Sequence, residues 1–194
     1  MQREPTGRIS RTGPQTYNLT FIRNFAEPPS ALWRSFTNPE QAGQWFGRWE
    51  GNPGRGESID LQMLYEEGLP WSRLQIAECA APELLRLVVE DEYGSWDLEV
   101  RFRESAGGTR LDFTHHLEDP LAAESVGPGW EYYLDRLTAS LTGSTVPAFD
   151  EYYPGQSPYF LAQARAAADS GGDSGGDSGG DSGATSGDTA QASD

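Results

Sequence analysis

Apolar residues recur along this chain in two periods, and the change of period separates strands from helices. From Thr16 to Phe25, Tyr17, Leu19 and Phe21 alternate with Asn18, Thr20 and Ile22, the period of two that a strand needs. Glu57 to Tyr65 sets Ile59, Leu61, Met63 and Tyr65 on one face, and Ser72–Cys79 and Leu84–Asp91 read as strands joined tightly through residues 80–82. Trp96, Leu98, Val100 and Phe102 then fall opposite Asp97, Glu99, Arg101 and Arg103. After a hairpin loop at residues 105–108, Leu111, Phe113, His115 and Leu117 fall opposite Arg110, Asp112, Thr114 and His116. One face of each strand is apolar and the other polar, the pattern of an antiparallel sheet covered on one side.

Two short helices are predicted after the first strand. Pro28-Pro29 opens one that carries Leu32, Trp33 and Phe36, and Asn38-Pro39-Glu40-Gln41 opens the next. Asn38 suits the N-cap, Pro39 the first helical position, and Gln41 completes a capping-box pattern. After the last strand the period becomes 3.6. Trp130, Tyr133, Leu134, Leu137 and Leu141 fall on one face of a helix expected to start at Pro128 and stop at Gly143. A half-buried antiparallel sheet followed by a long apolar helix predicts an α+β fold in which the sheet grips the helix. Such an arrangement leaves room for a pocket between the two.

The flanks differ in composition from this body. Residues 1–15 are polar and read as a flexible leader, 144–168 as an extension rich in aromatics (Phe149, Tyr152, Tyr153, Tyr159 and Phe160), and 169–194 as a disordered acidic tail. The tail repeats Ser-Gly-Gly-Asp with no apolar anchor to offset its ordering entropy, so a solubilising or spacer role is expected. It lacks the apolar position that a calcium-binding β-roll packs inside.

The 194 residues carry a formal net charge of −16, with 14 basic residues, all Arg, against 30 acidic ones. Six of the Asp lie from Asp169 onward. An acidic surface repels phosphate backbones and anionic headgroups, so neither nucleic acid nor membrane is an expected partner. No apolar run approaches the ~20 residues that span a bilayer, and the start of the chain lacks the apolar core of a signal peptide. A cytoplasmic protein is expected. Cys79 is the only cysteine; it excludes an intramolecular disulfide and reads as a small buried hydrophobe.

Leu32-Trp33-Arg34-Ser35-Phe36-Thr37-Asn38-Pro39-Glu40 followed by Trp45-Phe46-Gly47 resembles the opening motif of the SRPBCC superfamily, START-like or Bet v-like helix-grip proteins. Gly108-Thr109-Arg110-Leu111 through Thr114-His115 resembles the last strand of one branch, the homologues of the heat-shock protein 90 ATPase activator, and Gly129-Trp130 with Leu134 and Leu137 resembles its final helix. The resemblance covers residues 16–143. It implies a helix-grip fold with a curved sheet of about seven strands around the last helix, and an apolar cavity that takes hydrophobic small molecules. Some relatives catalyse cyclisation or dehydration. The eukaryotic co-chaperone carries a separate N-terminal domain, for which the residues before the first strand leave no room. Chaperone activation is therefore not expected to carry over with the resemblance, and an expectation of a chaperone or other protein partner rests on the aromatic extension.

The expected cavity lining is Trp96, Leu98, Val100, Phe102, Leu111, Phe113, His115, Trp130, Tyr133, Leu134 and Leu137. His115 is the candidate for chemistry, because alternation turns it toward the apolar face, where an imidazole can exchange a proton or orient a polar ligand head. Tyr133 brings a phenol that wants a polar partner when buried, and in such a cavity its hydroxyl and His115 are the natural pair to hold a ligand's oxygen. Adjacent His115 and His116 point apart in a strand and cannot share a metal, so no metal or other cofactor is expected. Gly51–Gly56 lacks the Gly-Lys-Ser/Thr ending of a phosphate loop and leads into a strand. Three functions follow: a non-catalytic binder of an apolar small molecule, a cyclase- or dehydratase-like enzyme with His115 as general base, or a co-chaperone or protein-interaction module.

Overall fold

The alternating segments pair into one antiparallel sheet: β1 (Arg8–Gly13), β2 (Thr16–Phe25), β3 (Gly47–Gly51), β4 (Ser58–Met63), β5 (Trp71–Ala80), β6 (Leu84–Asp91), β7 (Gly94–Ser105) and β8 (Gly108–Leu117). The structure, a computed structural model, describes residues 4–91, 94–146 and 148–170. The strand order is β1-β2-β8-β7-β6-β5-β4-β3. β3 to β8 are therefore a meander of sequence neighbours. β2 joins it from the far end of the chain, with Phe21 opposite Phe113 and Leu19 opposite His115.

The sheet has eight strands rather than seven. Residues 8–13, expected within a flexible leader, form the edge strand β1 in antiparallel register with β2. Ile9 is the only apolar residue in it, so there was no alternation to read. β3 is short and bounded by glycines, and pairs with β4.

Between β2 and β3 lie α1 (Pro29–Thr37) and α2 (Pro39–Ala42). The Asn38 side chain accepts from the Gln41 backbone N–H at 2.9 Å, the N-cap expected from the sequence. The long helix α3 spans Ala123–Thr142, so Pro128 lies inside it and does not start it. In the second turn a proline forfeits only the bond to a first-turn carbonyl, that of exposed Glu124, which water can reach. Gly143 ends the helix in the left-handed region (φ 70°), its N–H donating to the Ala139 carbonyl at 2.8 Å.

The inward residues of β2 and β4–β8 form one core with Trp130, Tyr133, Leu134 and Leu137 of α3. The aromatic extension folds back on this body. Its helix α4 (Ser157–Asp169) packs against α3 and β1, and Phe160 is fully buried against Phe21. A Cβ on Gly127 of α3 would fall 2.5 Å from the Phe160 ring, and one on Gly7 would fall 2.8 Å from it. These two glycines leave the slot that the ring fills. Cys79, expected to be buried, is exposed near the end of β5, beyond a bulge between Ile76 and Glu78. The expected acidic tail lies outside the described residues from 171 onward.

Candidate functional site

The eleven expected lining residues come together between the sheet and α3. Ten are buried and Trp96 is half-buried. Their hub is Trp130, whose ring centroid lies 4.5 Å from Phe113, 5.6 Å from Trp96, 5.9 Å from Phe46 and 6.1 Å from His115. Phe46 stacks on it, and the edge and tilted contacts of the other three match the positive rim of one ring to the negative face of another. They also fill space. Two surface cavities of about 460 and 550 Å³ lie elsewhere, and of the expected lining residues only Phe102 borders either one.

His115 lies in the middle of β8 with its side chain turned inward, 2% exposed. Trp130 Nε1–H donates to its Nδ1 at 3.2 Å. Its Nε2 is enclosed and has no hydrogen-bond partner among the described residues. Burial pushes the pKa of His115 down from 6.5 to about 4, the charge of His116 adds to the fall, and Asp97 opposes it. The ring is therefore neutral at physiological pH. His116 points to the other face, where its Nδ1 lies 2.8 Å from Asn18 Oδ1.

Tyr133 does not turn its hydroxyl toward His115. It donates to Glu66, at the turn between β4 and β5. Burial first, and this bond second, raise the Tyr133 pKa well above its usual value, so the phenol keeps its proton. Beside it, the Arg136 guanidinium lies 3.3 Å from the centroid of the Tyr65 ring, and its Nε donates to the Trp45 carbonyl at 3.1 Å. These contacts tie α3 to the α2–β3 and β4–β5 connections.

A second polar cluster sits on the other flank of α3. Glu131 is 3% exposed and accepts from the backbone N–H groups of Thr6 and Gly7. Arg23 Nη2 lies 2.5 Å from Glu131 Oε2 and 3.9 Å from Asp135 Oδ1. Glu131 falls off the apolar stripe, so its burial had no signal in the helical period. Arg23 had one: it continues the inward parity of Tyr17, Leu19 and Phe21, and an inward Arg calls for a buried acid. Glu131 and Arg23, with Asp135 and Tyr152, border the 460 Å³ cavity.

Among the described residues, no group of three or more His, Cys, Asp or Glu is placed to hold a metal ion. No described helix is long and apolar enough to cross a membrane.

An open antiparallel sheet of eight strands packed on one long helix, with two short helices after its first long strand, defines a helix-grip protein of the SRPBCC type. The chain belongs to the family of Activator of Hsp90 ATPase homolog 1-like proteins, whose model matches residues 26–142. Among solved structures it is similar to CalU16 from Micromonospora echinospora, with a TM-score of 0.68 and 20% identity over 84% of this chain and 99% of that one. It is similar to EF2215 from Enterococcus faecalis, a conserved protein of unknown function, with a TM-score of 0.63 and 17% identity over 84% and 91% of the two chains. It is also similar to DynU16, a putative protein in the dynemicin biosynthetic locus, with a TM-score of 0.58 and 16% identity over 71% and 50%. At these identities the likeness shows the fold alone. No curated protein matches the sequence.

Proposed function

We propose that this protein binds an apolar small molecule between the sheet and α3, without catalysing a reaction. The observation that carries the reading is the ring cluster around Trp130, which encloses one polar atom without a partner, His115 Nε2. A binding pocket is typically apolar walls with a few placed polar groups. These walls are closed against one another, so a ligand enters by displacing a side chain, and half-buried Trp96 is the wall residue nearest solvent that touches both His115 and Trp130. The place of DynU16 in a biosynthetic locus supports a small-molecule partner.

The other readings have less behind them. A general base needs a free lone pair and a pKa near working pH, whereas His115 Nδ1 is engaged by Trp130 and the ring has a pKa of about 4. A protein interface through the extension needs exposed aromatics. Tyr152 and Phe160 are buried; Phe149 and Tyr153 remain exposed, the latter at 44%. We read the protein as cytoplasmic, with an unpaired, exposed Cys79 in keeping with that, and residues 169–194 as a spacer tail.

The test is a thermal-shift screen with lipid-like and polycyclic aromatic compounds, followed by native mass spectrometry of the purified protein. A ligand at a hundred times its dissociation constant stabilises the fold by about 2.7 kcal/mol, a shift of roughly 5–10 °C. No shift across the whole panel, with no co-purified small molecule, would refute the reading.

A further inference from the structure

We propose that His115 is a fixed hydrogen-bond donor whose Nε2–H takes a carbonyl or ether oxygen of a neutral, largely aromatic ligand. The inference rests on the binding reading above and specifies the chemistry of the ligand.

The tautomer follows from the partner. An indole N–H only donates, so the ring atom it reaches, Nδ1, carries the lone pair. A neutral imidazole has one proton to place, and it lies on Nε2. That N–H is enclosed and meets no acceptor among the described residues. Its neighbours in register across the sheet are Leu19 and Leu98, and the rings in contact with it are Trp96 and Trp130. None of these side chains offers an oxygen. Leaving a buried donor unsatisfied costs about 1–3 kcal/mol, and such groups are rare in folded proteins. A ligand oxygen placed there recovers that cost on binding.

The same surroundings define what the ligand is not. A ligand amine or amide N–H would meet a donor with a donor. A carboxylate would enter a ring-walled space with a single neutral N–H to hold it, too little to offset the loss of its hydration. A neutral acceptor on a flat apolar frame fits both the donor and the walls. Polycyclic ketones and cyclic ethers have that chemistry.

Shape-matched pairs that differ in the oxygen test this: fluorenone against fluorene and anthrone against 9,10-dihydroanthracene, titrated by quenching of tryptophan fluorescence. One satisfied hydrogen bond of this kind is worth up to about tenfold in affinity. The expected result is that each ketone binds the wild-type protein several-fold to tenfold more tightly than its partner. The ratio falls to near one in His115→Phe and is partly restored in His115→Gln, whose amide returns an N–H. Equal affinities within each pair for the wild type would overturn the inference and leave apolar binding standing. Absence of binding by all four compounds would overturn the inference, while the thermal-shift panel and native mass spectrometry decide the binding reading separately. Should a variant fail to fold, the ¹⁵N shifts of His115 in the wild type decide the tautomer independently, and a proton found on Nδ1 would overturn the inference.

Discussion

His115 carries its charge-sensitive atoms where water does not reach, which makes acid its weak point. The unfolded chain protonates this ring near 6.5, the folded one only near 4. Between those values the unfolded state binds the extra proton, so stability is fully present above about pH 6.5 and is lost as pH falls toward 4. The shift corresponds to about 3 kcal/mol at most. Urea unfolding at pH 7.5 and pH 4 should therefore show a smaller loss in His115→Phe than in the wild type. Identical losses would mean that the ring is not held neutral. At this scale the sequence announced some things and hid others. Strict alternation turned His115 and Phe113 inward, as a period of two requires. The Trp130 bond to His115 and the Tyr133 bond to Glu66 join elements whose relative placement no local pattern encodes, and the second left the expected Tyr133–His115 pair apart.

Among the elements, α3 is the one whose surroundings differ most from what its stripe implied. The period of 3.6 identified the face that meets the sheet, with Trp130, Tyr133, Leu134 and Leu137. It could not reveal that a second flank is also covered, by α4 and by the N-terminal segment held on Glu131. Gly127 records that cover. Alanine in place of a helical glycine would ordinarily gain up to about 1 kcal/mol. Here its Cβ would meet the fully buried Phe160 ring at 2.5 Å, and overpacking of that kind costs about 1–3 kcal/mol. Position 127 also precedes a proline, where only glycine escapes the clash that disfavours a helical residue. Gly127→Ala is expected to lower the urea midpoint, with much of the loss gone in a Phe160→Ala background. A cost unchanged by the second substitution would place the strain elsewhere. The misread start of α3 has a similar origin: Pro128 is a strong start signal, yet the first turn it follows was already helical. β1 was missed because an edge strand needs little apolar surface to be held by its neighbour.

For the whole molecule, the meander from β4 to β8 and the gripped helix were legible, because each of those strands announces itself and pairs with the next, whereas short β3, bounded by glycines, carried no alternation to read. What joins the ends was not. β2 reaches β8, and α4 reaches β1, through contacts whose partners lie far apart in sequence. This arrangement has a kinetic consequence. The hairpins of the meander close short loops, whereas the β2–β8 pairing closes a loop of more than eighty residues, between Phe25 and Thr109. Long-range closure carries the larger entropic cost before any contact rewards it. The meander is therefore expected to nucleate and the first long strand to dock late. Leu19→Ala in β2 should mainly accelerate unfolding, while Val100→Ala in β7 should mainly slow refolding, as read from the two arms of a stopped-flow chevron. The opposite assignment would mean that folding starts where the chain's ends meet.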